Sequence, residues 1–201
     1  SLAMNAQTGQ PGQTGQSGTS PNRGTSAQPD KARQSGDAGQ MNKKSGDQGA
    51  NRMGSADNAW VMKVAQGSML EVELGKLAST QASSDAVKQF GQRMVTDHSR
   101  ANDELSEIAT RKGITLPTSL DAKHQAMKDK FSKMNGAAFD KAYMEDMVKD
   151  HRTDVAEFRK ESTSGRDADI KAFAAKTLPN LEEHLSMAEQ TASSAKSGSK
   201  Q

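Results

Sequence analysis

The sequence predicts an all-α protein, a four-helix bundle that follows a polar tail. From Asp57 onward it has strong helix formers, two proline residues and no β-branched run of period two. Apolar residues recur at spacings of three and four, which is typical of helices buried along one face. The phrase M-V-x-D-H-x5-E followed by Leu or Phe occurs at residues 94–105 and again at 147–158. We therefore expect two of the helices to carry equivalent histidines, His98 and His151, into a shared core.

Residues 1–55 have a different composition and predict a disordered tail. They are mostly Gln, Gly, Ser, Thr, Asn and Pro, with no aromatic residue. Such a segment buries too little apolar surface to offset its conformational entropy. Six basic and three acidic residues are spread thinly along it, which does not predict nucleic-acid or membrane binding. The domain prediction is a tail over 1–55, a bundle over 56–192 and a polar C-terminal tail over 193–201.

The composition restricts the remaining classes of function. The chain has no cysteine, so disulfides and thiolate metal sites are excluded. No apolar run is long enough for a transmembrane span. The opening Ser1-Leu2-Ala3 has the small-x-small form that precedes a signal-peptidase cut. It predicts export to the periplasm or cell envelope, although a cloning remnant would begin in the same way. The oligomeric state stays open.

The first two helices have clear apolar stripes. The first is predicted over 57–81 with Glu71 on its inward face and Glu73 turned to solvent or a flank. Ser84 is a predicted N-cap for the second helix, which stops near Gly113. The second helix shows the alternating four-and-three spacing of a bundle seam. Its seven predicted core positions are Val87, Gly91, Met94, His98, Ala101, Leu105 and Ile108.

The second half of the chain predicts three more helices. A short amphipathic helix should run from about residue 120 to 134, and a long one from about 137 to 162 with His151 inward. Asp167 can cap the last helix. Pro179 should kink that helix. Its inner face is predicted to hold Ile170, Phe173, Thr177, Leu181, His184 and Ala188.

Four motifs in order resemble a known family. They are L-E-V-E-L-G-K-L-A (70–78), M-V-x-D-H (94–98), F-D-x-x-Y-M-x-x-M-V-x-x-H (139–151) and L-P-x-L-x-x-H-L (178–185). Together they resemble the bacterial domain of unknown function 4142 over about residues 57–192. The resemblance implies a ferritin-like four-helix bundle in an exported bacterial protein, with no established activity. The family pattern falls on Glu71, Asp97, His98, His151 and His184, whereas His124 has no counterpart in it.

These positions predict a metal site in the bundle core. Glu71, His98, His151 and His184 come from four helices, and three imidazoles with a carboxylate are suitable ligands for Zn, Cu, Fe, Mn or Ni. Asp97 and Asp150 lie beside histidines in sequence but about 100° around the helix, so we expect them to accept N–H bonds from imidazoles of neighbouring helices. Asp154 is an additional candidate ligand or support.

Three alternatives accompany this prediction. A di-iron centre of ferritin type needs Glu-x-x-His on two helices, and Val95, Val148 and Leu181 occupy the positions where glutamate would stand. A copper site with thioether ligands would use Met94, Met147 and Met187, although methionine is also a common core filler. Finally, the histidines could form a polar layer that only fixes helix register in a structural or stress-related envelope protein. The sequence shows no nucleophile beside a base, so it gives no motif that would predict an enzyme.

Overall fold

The computed structural model describes residues 53–198 and confirms the all-α prediction. The predicted tail is therefore outside the described residues except for its last three positions. None of the described helices is long and apolar enough to cross a lipid bilayer. The helices are α1 (Ser55–Gln81), α2 (Asp85–Arg111), α3 (Ala122–Ser132), α4 (Gly136–Ser164) and α5 (Ala168–Gly198).

Two helical hairpins build the bundle. α1 packs along α2, α4 packs along α5, and the short α3 lies between the hairpins in sequence. The first pair is very close at Gly75 and Gly91, where a Cβ on Gly75 would lie 2.6 Å from the carbonyl oxygen of Gly91. A side chain at either position would separate the helices. This close approach places the inward face of α1, with Glu71, beside His98 of α2.

A buried aspartate near the start of each hairpin binds the loop of the other hairpin. The carboxylate of Asp57 on α1 accepts bonds from the backbone N–H groups of Arg166 at 3.1 Å and Asp167 at 2.7 Å. The carboxylate of Asp140 on α4 accepts bonds from the N–H groups of Ser83 at 3.1 Å and Ser84 at 2.9 Å. Each loop thus has its backbone donors satisfied by the opposite hairpin, which fixes how the two hairpins meet.

Two helix ends follow the sequence prediction, and the start of α2 differs from it. Gly113 ends α2 with a φ of +66°, a conformation that favours glycine. Asp167 caps α5, because its Oδ1 accepts from the N–H of Asp169 at 3.0 Å and of Ile170 at 3.2 Å. Ser84 has the extended backbone of an N-cap but makes no capping bond with its side chain. Its own backbone N–H donates to Asp140 instead.

The last helix is longer than predicted. α5 continues through the exposed Pro179 and past Ser193 to Gly198. The residues beyond Ser193 include Ala195 and Lys196, which are residue types compatible with helix. The kink at Pro179 stays a prediction, and residues 199–201 of the predicted C-terminal tail lie outside the described residues.

The hairpins repeat one pattern. Several residues of α1 and α2 have a counterpart the same number of positions later, in α4 and α5, and most of these pairs are buried. The pairs are Asp57 with Asp140, Trp60 with Tyr143, Glu71 with Asp154, Val87 with Ile170, and Phe90 with Phe173. The phrase shared by α2 and α4 has a different offset. It joins helices that are not counterparts in this arrangement.

The core consists of two apolar clusters. One contains Phe90, Met94, Phe139, Tyr143 and Met147, among others. The second contains Val61, Leu105, Phe158, Ile170 and Phe173, among others. Buried polar residues in the middle of the bundle belong to neither cluster. They are Ser68, Glu71, Asp97, His98, His151 and His184, and we call them the polar layer.

Candidate metal centre

Three histidines from three helices meet in the polar layer. His98 of α2, His151 of α4 and His184 of α5 are all buried. Their ring centroids are 5.8 Å apart for His98 and His151, and 5.4 Å apart for each of the other two pairs. One nitrogen of each ring lies within 4.8 Å of the other two. Among the described residues, this is the group of histidine and carboxylate side chains whose ligand atoms converge closely enough for one ion.

The ring of His151 is held by its own helix. Its Nδ1 lies 3.0 Å from the carbonyl oxygen of Met147, one turn earlier. A carbonyl oxygen only accepts, so Nδ1 of His151 carries the proton. The other nitrogen, Nε2, is buried and has no hydrogen-bond partner. In the neutral ring this Nε2 is therefore the atom with a free lone pair.

The ring of His98 is held by α1. Its Nδ1 lies 3.0 Å from Oε2 of Glu71 and 3.2 Å from Oγ of Ser68. Ser68 also donates to the backbone carbonyl of His98 at 3.4 Å. A carboxylate accepts the N–H bond, so the neutral ring has its proton on Nδ1. Its Nε2 is again buried without a partner.

The ring of His184 is held by α2 in the reverse orientation. Its Nε2 lies 2.9 Å from Oδ2 of Asp97. Asp97 is fixed in turn by Arg93 and Arg100, the latter 3.0 Å from its Oδ1. Here Nδ1 is the buried nitrogen that lacks a partner. All three imidazoles therefore use one nitrogen to bind protein and keep the other one free.

Burial and neighbouring charges shift the pKa values of the layer in different directions. Burial lowers the pKa of His151, and it lowers the pKa of His184 to about 4 despite the hydrogen bond to Asp97. For His98, burial is outweighed by the charge of Glu71, and the pKa is raised. Burial alone would raise the pKa of Glu71, but the three histidines together lower it to about 2. Glu71 is therefore a carboxylate at neutral pH.

The predicted site residues divide into two groups in the structure. Glu71 lies behind two of the imidazoles, with its Oε1 3.6 Å from Nδ1 of His151 and without a hydrogen-bond partner. Asp97 accepts from an imidazole of another helix, in the arrangement the sequence predicts. Asp150 and Asp154 instead line a cavity of about 330 Å³ beside Glu71 and His98. Burial is the main cause that raises the pKa of Asp150 to about 6 and of Asp154 to about 8.

Sequence reasoning missed some of the groups that hold the rings. Ser68 of α1 contacts His98, a contact that the sequence does not predict. A polar residue one turn before an inward glutamate is the signal that could have found it. The carbonyl of Met147 leaves no mark in a sequence. His124 is outside the layer, where its Nδ1 lies 2.7 Å from Oδ1 of Asp121.

The methionines near the histidines in sequence pack with apolar residues. Met94 and Met147 are fully buried in the cluster that contains Phe90 and Tyr143. Met187 packs partly buried against the same cluster. These positions agree with their use as core fillers.

The chain was also compared with known proteins. A family model described as "Domain of unknown function (DUF4142)" matches residues 42–191. The match covers all four motifs and begins before α1. No curated protein and no solved structure matches the chain.

Proposed function

The chain belongs to the family of the domain of unknown function DUF4142, and we propose that it binds one transition-metal ion in the bundle core. The proposed ligands are Nε2 of His98, Nε2 of His151 and Nδ1 of His184. One observation carries the proposal. In each imidazole one nitrogen has a protein acceptor, and the other is buried without any partner.

A metal ion would satisfy all three nitrogens at once. Leaving a buried polar atom unpaired costs about 1–3 kcal/mol, and the three unpaired nitrogens each carry such a cost. Tetrahedral coordination at 2.0–2.1 Å places ligand nitrogens roughly 3.3 Å apart. The present limit is 4.8 Å, so ligand nitrogens at that limit would have to approach by about 1.5 Å when an ion binds.

The ligand type restricts the ion. Three neutral imidazoles suit Zn, Cu, Fe or Ni better than Mg, Ca or Mn, which prefer oxygen. Glu71, Asp97 and the carbonyl of Met147 would orient the rings and fix which nitrogen is free, the usual role of groups behind metal-bound histidines. Glu71 contacts Nδ1 of His98 and lies 3.6 Å from Nδ1 of His151, on the side of both rings away from the proposed ligand nitrogens, so in this site it would orient the rings and would not be the fourth ligand that the sequence predicts.

The rival function is a polar layer that only sets helix register. In that case the hydrogen bonds to Glu71, Asp97 and Met147 would be its whole purpose. The two functions differ in what the free nitrogens do. A layer built for register needs no ion and gains nothing from three neighbouring imidazoles that each leave one nitrogen without a partner.

The location of the protein is part of the proposal. We place it in the periplasm or cell envelope, following the resemblance to exported bacterial proteins, where it would hold or buffer a metal ion. Fractionation of cells that express the full precursor tests this. Recovery of the protein in the cytoplasm alone would contradict it.

The direct test of binding is calorimetric titration of the full chain, freed of metal, with Zn²⁺ and with Co²⁺. We expect one ion per chain for the native protein and none for the His98→Ala, His151→Ala double variant. The matched control is His124→Ala, which removes a histidine outside the layer and should leave binding unchanged. Equal titrations for the native protein and the double variant would refute the proposal.

A further inference from the structure

A cavity links the polar layer to the surface. It has a volume of about 330 Å³ and is lined by residues of all five helices. The buried Glu71 and His98 line it, and so do the exposed Lys63 and Lys123. The cavity therefore connects solvent with Glu71 and with His98, one of the proposed ligands.

A row of carboxylates crosses this cavity. Asp146, Asp150 and Asp154 follow one another at intervals of one helical turn on α4 and all line the cavity. Successive members are about 6 Å apart along the helix axis. Asp146 has an Oδ2 that is buried without a hydrogen-bond partner. The row gives the cavity wall a line of oxygen ligands on one face.

The lysines that line the cavity do not cancel the row. Lys63 is paired with Glu157. Lys123 and Lys149 are exposed, and their charges are screened by solvent. The half-buried carboxylates are screened less. Because the pKa of Asp154 is raised to about 8, this group carries a proton at neutral pH, which a bound cation would displace. The negative charge that a cation first meets therefore belongs mainly to Glu71 and to the aspartates nearer the surface.

The spacing of the row does not fit a second chelating site. Within the described part of the chain, the ligand atoms that converge on one point are those of the three histidines. The aspartates are instead strung along the cavity. Glu71 joins the two features, because its side chain is only 6% exposed, its Oε2 contacts His98, and its Oε1 has no partner.

We propose that this cavity is the route by which a hydrated divalent cation reaches His98, the proposed ligand that lines it, passing along Asp146, Asp150, Asp154 and Glu71. The inference rests on the metal-binding function proposed above. A volume of 330 Å³ corresponds to roughly ten water molecules at about 30 Å³ each. This is enough for an ion with its inner shell of about six waters. The carboxylates would replace those waters before the imidazoles bind the ion.

Gly67 offers a steric test of the route. It lines the cavity, and a Cβ at this position would meet no atom within 4 Å. Gly67→Leu should therefore enter the cavity without disturbing the helices. It leaves every ligand and every carboxylate in place. Gly67→Ala is the control, since it makes the same change in backbone freedom but fills little of the cavity.

An electrostatic variant tests the same route independently. Asp146→Asn with Asp150→Asn removes two charges from the row. The matched control is Asp103→Asn with Glu107→Gln, which removes two exposed charges from α2 that do not line the cavity. Both pairs change the net charge of the chain equally.

The measurement is stopped-flow uptake of Co²⁺ by the full chain, followed by the absorption of the bound ion. Gly67→Leu should slow uptake and release together by roughly tenfold or more and leave the equilibrium affinity near that of Gly67→Ala. The aspartate pair should slow uptake by about tenfold at low salt and weaken its salt dependence. Circular dichroism melts verify that each variant is folded.

The outcomes separate the two proposals. Uptake by both test variants at the rate of their controls would overturn the route and leave the metal site standing. A native chain that binds no Co²⁺, Zn²⁺, Cu²⁺, Ni²⁺ or Fe²⁺ at any rate would overturn both.

Discussion

The apolar clusters and the polar layer between them differ in how their buried groups are satisfied. In the clusters, rings and aliphatic chains fill the core and need no specific partners, as in the edge-to-face contact of Phe90 with Tyr143 at a centroid distance of 6.0 Å. In the polar layer, one nitrogen of each imidazole has a hydrogen-bond acceptor and the other nitrogen has no partner.

This difference shows where in the fold unpaired buried polar atoms lower the stability. Other buried atoms without partners occur elsewhere, for example Nε1 of Trp60 and Oε1 of Glu161. In the polar layer, however, three of them belong to three converging rings. A core selected for stability alone would fill this space with leucine or phenylalanine. The layer is therefore the part of the bundle that we expect to serve a ligand.

The largest expected effect comes from making the layer more like the clusters. His151→Leu removes one ligand and leaves no acceptor stranded, because the Met147 carbonyl is already in a helical bond. Metal affinity should fall roughly a thousandfold, since one ligand of three carries about a third of a binding free energy on the order of 12 kcal/mol. Without metal, the free energy of unfolding of the variant should be about 1 kcal/mol higher than that of the native chain. Calorimetry and urea unfolding measure both, and a variant destabilised with and without metal would favour a register role.

Acid should weaken the metal-free layer more than the clusters. The pKa of His184 is about 4 in the folded chain and about 6.5 when unfolded. The unfolded state therefore binds a proton first, and stability is lost as pH falls from about 6.5 to about 4. For this group the loss approaches 3 kcal/mol. His98 acts in the opposite sense, because its pKa is raised and its contribution is lost as pH rises.

The control for this pH dependence is His184→Leu, which should remove most of the loss between pH 6.5 and 4. Bound Zn²⁺ should protect the native chain in the same range until protons displace it. Urea unfolding at each pH measures the effect. Identical pH profiles for the native chain and His184→Leu would show that His184 is not the titrating group.

A smaller effect should follow from changing a group behind the ligands. Asp97→Asn keeps an oxygen that accepts from Nε2 of His184 but removes the negative charge. Metal affinity should fall about 10- to 100-fold, the usual effect of altering such a partner. Asp103→Asn on the same helix is the control and should have no effect. Unchanged affinity in Asp97→Asn would mean that this carboxylate does not support a bound ion.

The smallest effects on stability should distinguish Gly75, where α1 packs closely against α2, from Gly67, which faces the cavity. Gly75→Ala places a Cβ 2.6 Å from the Gly91 carbonyl and should destabilise the chain by about 1–3 kcal/mol. Gly67→Ala meets no atom and should stabilise it by about 1 kcal/mol through helix propensity. Thermal unfolding measures both. Equal shifts of the same sign would contradict the contrast between a tight seam and a cavity.

The helices could be predicted well from the sequence because the signals for helix formation are local. The four-and-three spacing of α2 predicted seven core positions, of which six are buried and Ala101 is half-buried. Asp167 and Gly113 were recognisable as end signals from residue type alone. The end of α5 was harder, because polar helix formers after Ser193 are equally compatible with a tail.

The candidate site was harder to predict than the helices. Spacing brought His98, His151 and His184 inward, but it could not show which nitrogen of each ring is used. That depends on the Met147 carbonyl, on Ser68 and on the crossing of Asp97 to His184, which are matters of three-dimensional packing. The cavity beside Glu71 is likewise set by how the five helices meet, so Asp150 and Asp154 were expected at the ligands rather than along the cavity.

The most direct test of the metal centre is a crystal structure of the full chain loaded with Zn²⁺, with anomalous data on both sides of the zinc edge. We predict one anomalous peak between the rings, bonded to Nε2 of His98, Nε2 of His151 and Nδ1 of His184 at 2.0–2.1 Å. The bonds to Glu71, Asp97 and Met147 should persist on the opposite nitrogens. Well-ordered rings without a peak between them, at saturating Zn²⁺, would contradict the metal centre.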